Sequence, residues 1–307
     1  MSPSPAITDE ASRTAVVQLV TEWYGQHARD LPWRGGSVSA WAVLVSEVML
    51  QQTPVSRVEP VFDAWMRDWP SPADLASVTT GEAVRAWGRL GYPRRALRLH
   101  AAATTCVERH AGQVPSSIDE LRALPGVGEY TAAAVASFAF GQRQAVLDTN
   151  VRRVHARLFD RQEFERPGAP TSAERHRALD LLPVEPGDAA RASAAVMELG
   201  ALVCTAKSPK CSGCPVELHC SWSRAGKPEW AGAPRKGQTY AGTDRQCRGR
   251  LLALVRDSNE PVLDEVLRES WSDASQCERA LSSLLADELI EQVPTASSTN
   301  LSYQLPT

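Results

Sequence analysis

Four of the seven cysteines fall between positions 204 and 220, spaced Cys204-x6-Cys211-x2-Cys214-x5-Cys220. The other three, at 106, 247 and 277, are scattered. Four thiolates on one short loop can wrap an iron–sulfur cubane or a zinc ion, and grouping of this kind points to a metal site rather than disulfides. Zinc sites more often use two CxxC knuckles, and this loop has one. Two carboxylates also stand out. Glu47 lies in the segment Ala40 to Leu50, AWAVLVSEVML, where every other residue except Ser46 is apolar. A helix apolar on all faces is buried, so Glu47 is expected in a low-dielectric setting with a raised pKa. Asp148 precedes Val151-Arg152-Arg153-Val154, a helical start, so its carboxylate is expected near the positive amides of a helix N-terminus and ionised. Two carboxylates with environments pushing in opposite directions divide acid and anion roles, as cleavage of an N-glycosidic bond requires. The plainer readings are a buried carboxylate paired with an arginine and a simple N-cap.

Between these carboxylates the chain reads as helix, tight turn, helix. Ser117 and Glu120 have capping-box spacing ahead of Leu121 and Leu124, Pro125-Gly126-Val127-Gly128 interrupts, and the Ala-rich stretch Glu129 to Phe140 follows, closed by Gly141. A Gly-x-Gly turn opening a helix points backbone N–H groups at the positive end of a helix dipole, which suits a phosphate oxygen. Taken alone, the turn is equally an ordinary helical hairpin.

With these residues in view, Leu121 to Arg157 resembles the helix-hairpin-helix DNA glycosylases of the endonuclease III superfamily, within it the MutY-type adenine glycosylases. The hairpin Leu124-Pro125-Gly126-Val127-Gly128-Glu129-Tyr130-Thr131-Ala132 and the later Leu147-Asp148-Thr149-Asn150-Val151 carry the likeness. Further matches are Leu31-Pro32-Trp33-Arg34, the SEVMLQQT segment around Glu47, and the cysteine spacing, so the resemblance spans about Leu31 to Cys220. It implies an all-α, two-lobed helix-hairpin-helix fold with an iron–sulfur loop, holding a [4Fe–4S] cluster on Cys204, Cys211, Cys214 and Cys220. The implied activity is monofunctional excision of adenine mispaired with 8-oxoguanine or guanine in double-stranded DNA. Glu47 would be the proton donor and Asp148 the stabilising anion, with Asn150 orienting Asp148. Tyr130 stands where bifunctional relatives carry a Schiff-base lysine, which implies no strong lyase activity. Asp-Thr-Asn here replaces the usual Asp-Gly-Asn. Gln51, Gln52 and Tyr92 are expected near the gap and the opposite base. Arg94, Arg95, Lys207, Lys210 and the hairpin residues Gly126, Val127 and Gly128 are expected on DNA. The turn Gly88-Arg89-Leu90-Gly91-Tyr92-Pro93-Arg94-Arg95 departs from the pattern at Pro93. Thymine release from T·G pairs, or a non-catalytic DNA-binding scaffold, are the alternatives.

The elements positioning these residues are read from periodicity. Helices are expected over Thr14 to Tyr24, Ser39 to Gln52, Val55 to Trp69, Ser71 to Leu90 and Pro93 to Arg109, with Met1 to Ser12 frayed. The expected divisions are an N-terminal helix packing with the iron–sulfur lobe (1–30), a six-helix lobe (31–140), the iron–sulfur lobe (141–222), a linker (223–249) and a winged-helix-like module (250–307). In that module three short helices, Arg250 to Val255, Val262 to Glu269 and Ala274 to Ile290, precede a strand at Ser302 to Leu305. The net charge of −3 hides an asymmetry: residues 251–307 hold three Arg against ten Asp and Glu, or −7, which leaves +4 for residues 1–250. A basic DNA-facing part with an acidic tail is consistent with nucleic-acid binding. The longest charge-free apolar run is far too short to cross a bilayer, and MSPSPAITDE lacks a secretory pattern, so a cytoplasmic monomer without membrane contact is expected. No protein partner of the tail is readable.

Overall fold

The computed structural model describes residues 10–233, 240–294 and 301–307. The expected frayed N-terminus lies outside them as far as residue 9, and so does part of the expected linker. In chain order the helices are α1 (Glu10–His27), α2 (Ala40–Leu50), α3 (Val55–Asp68), α4 (Pro72–Ala76), α5 (Thr80–Trp87), α6 (Arg94–Arg109), α7 (Ile118–Ala123), α8 (Glu129–Phe138), α9 (Thr149–Phe159), α10 (Ser172–Leu181), α11 (Pro186–Leu202), α12 (Ser221–Arg224) and α13 (Asp244–Asp257). They are followed by β1 (Val262–Leu263), α14 (Asp264–Glu269), α15 (Ala274–Ala286), β2 (Glu291–Pro294) and β3 (Leu301–Gln304). Two compact units emerge. One takes in 10–43, 116–121 and 128–233, and the other 44–115, 122–127, 240–294 and 301–307.

In the first unit α1 packs on α11, and α11 on α8 and α9. Its core joins Val16 and Val20 of α1 to Val154 and Leu158 of α9, Ala195 and Leu199 of α11, and Val216 of the cysteine loop. A second small core, Ala133, Ala134 and Val146, holds α8, where alanine allows close approach.

The second unit centres on tryptophan. Trp65 and Trp87 are buried and meet edge to face at 5.5 Å. One long helix was expected from Ser71 to Leu90, and two short ones form instead. The reason is chemical: Ser71 with Asp74 and Thr79 with Glu82 each make a capping box, and the second starts a new helix within a turn of the first. The C-terminal segment also differs from expectation. Its first helix begins at Asp244 rather than Arg250, Val262 and Leu263 pair as a strand, and β1-β3-β2 form an antiparallel sheet with Val262 opposite Tyr303 and Val293 opposite Ser302.

Candidate active site and cysteine loop

Asp148 is the N-cap of α9. Its Oδ1 accepts the Val151 N–H at 2.7 Å, and its Oδ2 accepts from the Asn150 Nδ2 at 2.7 Å. Burial pushes the Asp148 carboxyl up, and although these two hydrogen bonds and the nearby Arg153 charge pull it down, the net direction is upward from 3.8. The helix N-terminus does hold this carboxyl as expected, but desolvation outweighs its pull toward the ionised form. Asn150 is held in turn. Its Oδ1 accepts from Arg153 Nη2 at 2.8 Å, and the same guanidinium donates to Gly200 O at 2.7 Å and, through Nε, to Cys204 O at 2.8 Å. Gly200 is glycine because a Cβ there would lie 2.7 Å from Asn150 Cβ and 2.9 Å from its carbonyl oxygen. The start of α9 thus rests directly on α11, with its carboxylate tied through two side chains to the first cysteine. Arg153 and Gly200 were missed in the sequence.

The four cysteines line one cavity of about 30 Å³ together with Arg157, Val203, Pro209, Glu217, Trp222 and Ser223. None is in a disulfide. Among the described residues no three His, Cys, Asp or Glu side chains are gathered as a ready group for a metal ion. Even so, four thiols facing one space are the donor set a thiolate-bound cluster requires. Burial, with the neighbouring thiols adding to it, pushes Cys214 up to about 12. Arg157 lies over the Trp222 ring at 4.7 Å and donates from Nη1 to the Cys204 sulfur at 3.4 Å and to Thr205 O at 2.8 Å. Lys207 and Lys210 are exposed on the stretch between the first two cysteines.

At the hairpin, Gly126 and Gly128 differ. Gly126 has φ +78°, and a Cβ there would lie 2.7 Å from Arg98 Cβ, so the fold demands glycine. Gly128 is extended, with φ −90° and ψ −179°, and a Cβ would meet nothing within 4 Å. Its glycine is not required by packing. Val127, expected on DNA, is buried, and its N–H donates to Leu124 O at 3.1 Å, so it closes the turn. Tyr130, in the first turn of α8, is half-buried against the Ala133, Ala134 and Val146 core.

Glu47 is 7 % exposed in α2, whose residues from Trp41 to Met49 are all buried, as the charge-poor segment implied. The helix ends at Leu50. Gln51 is half-buried, whereas Gln52 is exposed with φ +56°. Tyr92 has φ +47° and is 44 % exposed. Gln52 and Tyr92 are two of seven described non-glycine residues with left-handed backbone, so their φ alone does not mark a site. Arg95 explains how both turns are held. It is 6 % exposed, and its guanidinium donates to Val48, Met49 and Gln51 carbonyls at 2.8, 2.9 and 2.6 Å, to Gly91 O at 2.9 Å and to Thr53 Oγ1 at 2.9 Å. Desolvation lowers its pKa to about 10. Arg95, expected on DNA, has its guanidinium engaged by these carbonyls and caps α2 from inside the protein. Arg94 points outward and pairs with Asp287 at 3.3 Å.

The HhH-GPD superfamily of base excision DNA repair proteins matches residues 45–176. An adenine DNA glycosylase of Mycobacterium tuberculosis is 49 % identical over 94 % of this chain and 93 % of its own. One of Mycolicibacterium smegmatis is 51 % identical over 90 % and 92 %. Among solved structures, a thermostable thymine-DNA glycosylase superposes with a TM-score of 0.64 at 27 % identity, covering 69 % of this chain and 97 % of the other. The chain belongs to the HhH-GPD superfamily of base excision DNA repair proteins, and it is a DNA N-glycosylase by that membership. No helix among the described residues is long and apolar enough to cross a membrane.

Proposed function

We propose that this protein excises adenine mispaired with 8-oxoguanine or guanine in double-stranded DNA, as a monofunctional glycosylase of base excision repair. The observation that carries the chemistry is Asp148, fixed by Val151 and Asn150 with both oxygens acting as acceptors, the arrangement of an anion awaiting positive charge. Adenine as the base rests on near end-to-end similarity to relatives named for it.

A base inside a duplex is out of reach, so adenine is extruded at a cost of a few kcal/mol in stacking and pairing. Tyr92, Gln51 and Gln52 fill the gap and meet the opposite base, while Gly128, Arg94, Lys207 and Lys210 meet phosphates. Glu47, enclosed in α2, gives its proton to adenine N7. The C1′–N9 bond then breaks with its electron pair leaving on the base, and Asp148 stabilises the oxocarbenium charge on the sugar. Water adds to C1′ as the Glu47 carboxylate takes its proton, which restores the acid. Tyr130 cannot form a Schiff base, so the product is an intact strand with an abasic site. Cys204, Cys211, Cys214 and Cys220 would hold a [4Fe–4S] cluster, which would tie the four thiolates together and shape the lysine-bearing loop; no step of the reaction passes through it. The C-terminal order helix, strand, helix, helix, strand, strand supports reading this segment as a winged-helix-like module. The protein works as a cytoplasmic monomer.

The test is single-turnover base release from duplexes with A opposite 8-oxoguanine, A opposite G and T opposite G. Adenine release, reduced about 10²- to 10⁴-fold in Glu47→Gln and Asp148→Asn, is the expected result. Thymine release would overturn the choice of base, and no release would reduce the chain to a DNA-binding scaffold.

A further inference from the structure

We propose that Arg245, in the first turn of α13, is a positioning residue that holds the Tyr92 ring ready for insertion beside the base opposite the extruded adenine. The inference rests on the wedge role of Tyr92 given above. Arg245 Nη2 donates to the Tyr92 hydroxyl at 3.0 Å, and its guanidinium carbon lies 5.5 Å from the ring centroid. The Arg95 guanidinium carbon, fixed from inside, lies 5.6 Å from the same ring. Two cations near one ring draw on its quadrupole and restrict its rotamer. The ring needs this support because it is 44 % exposed on a residue with φ +47°.

Arg245 is not an isolated surface side chain. Its neighbour Asp244 pairs with Arg279 at 3.0 Å, and Gln276 Nε2 donates to Gly242 O at 2.9 Å, so the start of α13 is anchored on α15. The same C-terminal segment meets the Tyr92 loop on either side of the ring: Arg256 Nη1 donates to Gly88 O at 2.7 Å, and Asp287 pairs with Arg94 at 3.3 Å. Gly81 N–H donates to Pro306 O at 3.0 Å nearby. Residues 251–307 carry −7, a charge unsuited to holding phosphate, and Arg245 lies just ahead of them in the first turn of α13. What Arg245 supplies is preorganisation of a loop that would otherwise lose conformational freedom on binding.

The experiment is a double-mutant cycle in the full chain, read as single-turnover adenine release from A opposite 8-oxoguanine. Arg245→Ala is expected to slow release about three- to tenfold, Arg245→Lys to restore most of the loss, and Arg245→Ala to add nothing in a Tyr92→Ala background. Tyr92→Phe, which deletes only the hydrogen-bond acceptor, should give a smaller loss of the same sign and keeps the test valid if Arg245→Ala folds poorly. A wild-type rate in Arg245→Ala beside a slow Tyr92→Ala would overturn the positioning role. A full additional loss in the Tyr92→Ala background would also overturn it, because Arg245 would then act on DNA directly. A wild-type rate in Tyr92→Ala would instead remove the wedge reading itself.

Discussion

The two hairpin glycines separate fold from function, because only one is needed for packing. Alanine at Gly126 would hold a left-handed backbone at φ +78° and place its Cβ 2.7 Å from Arg98 Cβ, with Cδ and Cγ at 3.1 and 3.3 Å. The backbone costs about 1–2 kcal/mol and the overpacking about 1–3, so Gly126→Ala should lose roughly 2–5 kcal/mol of stability. Gly128→Ala meets neither penalty. Its backbone is extended and the space beyond its Cα is open, so its stability should change by less than about 0.5 kcal/mol. Open space before the N-terminus of α8 is nevertheless where a phosphate oxygen would sit, and a methyl group there holds it off. Loss of one charged hydrogen bond, about 1.5–3 kcal/mol, should weaken duplex binding about tenfold or more. Urea unfolding followed by tryptophan fluorescence measures the first quantity, and fluorescence anisotropy of a labelled duplex at one fixed salt concentration the second. Duplex affinity in Gly128→Ala equal to wild type would refute phosphate binding at this turn, whereas a matched loss of stability would refute the reading that the position is free of packing.

Other consequences are equally direct. Burial would raise the Glu198 carboxyl, but Arg29 at 2.8 Å and Arg34 at 2.9 Å bring it down to about 2. That depressed value makes its stabilisation full above the unfolded pKa of about 4.3 and lost as pH falls toward 2, so acid should unfold wild type more steeply than Glu198→Gln. At neutral pH Glu198→Gln, which leaves two arginines around an uncharged group, should cost about 3 kcal/mol in urea titrations. The raised pKa of Asp148 has the opposite sign: if the anion is the working form, single-turnover rates should fall on the acid side at a pH above 3.8, and a flat profile down to that value would contradict the role. Arg95→Ala strands the carbonyls of Val48, Met49 and Gln51, and urea titration should register a loss of about 3 kcal/mol or more. Purified protein should contain iron and sulfide and show visible charge-transfer absorbance, both lost in Cys214→Ser.

The burial of Glu47 and the N-cap position of Asp148 were legible from their local settings, whereas the desolvation that raises Asp148 was not. Glu47 interrupts a run of apolar residues, and Asp148 stands ahead of a helix that begins Val151-Arg152-Arg153. The break between α4 and α5 was legible in principle, since Ser71/Asp74 and Thr79/Glu82 are both capping pairs, but amphipathic spacing ran across it. Arginine was the harder case. A guanidinium serves a phosphate or a set of buried carbonyls with the same five donors, so residue type alone does not say which. Helical phase does. Arg95, Leu99, Ala102 and Cys106 share the buried face of α6, whereas Arg94, one residue earlier, leaves that face and reaches Asp287. Arg153 follows the same logic, three residues after Asn150 on α9 and joined to it by a 2.8 Å hydrogen bond. Position on a helix therefore distinguishes arginines that shape the protein interior from those left on its surface. What no local pattern held was Arg245, whose partner Tyr92 lies far away in the chain and is brought to it only by the docking of the C-terminal helices on α5 and its following loop.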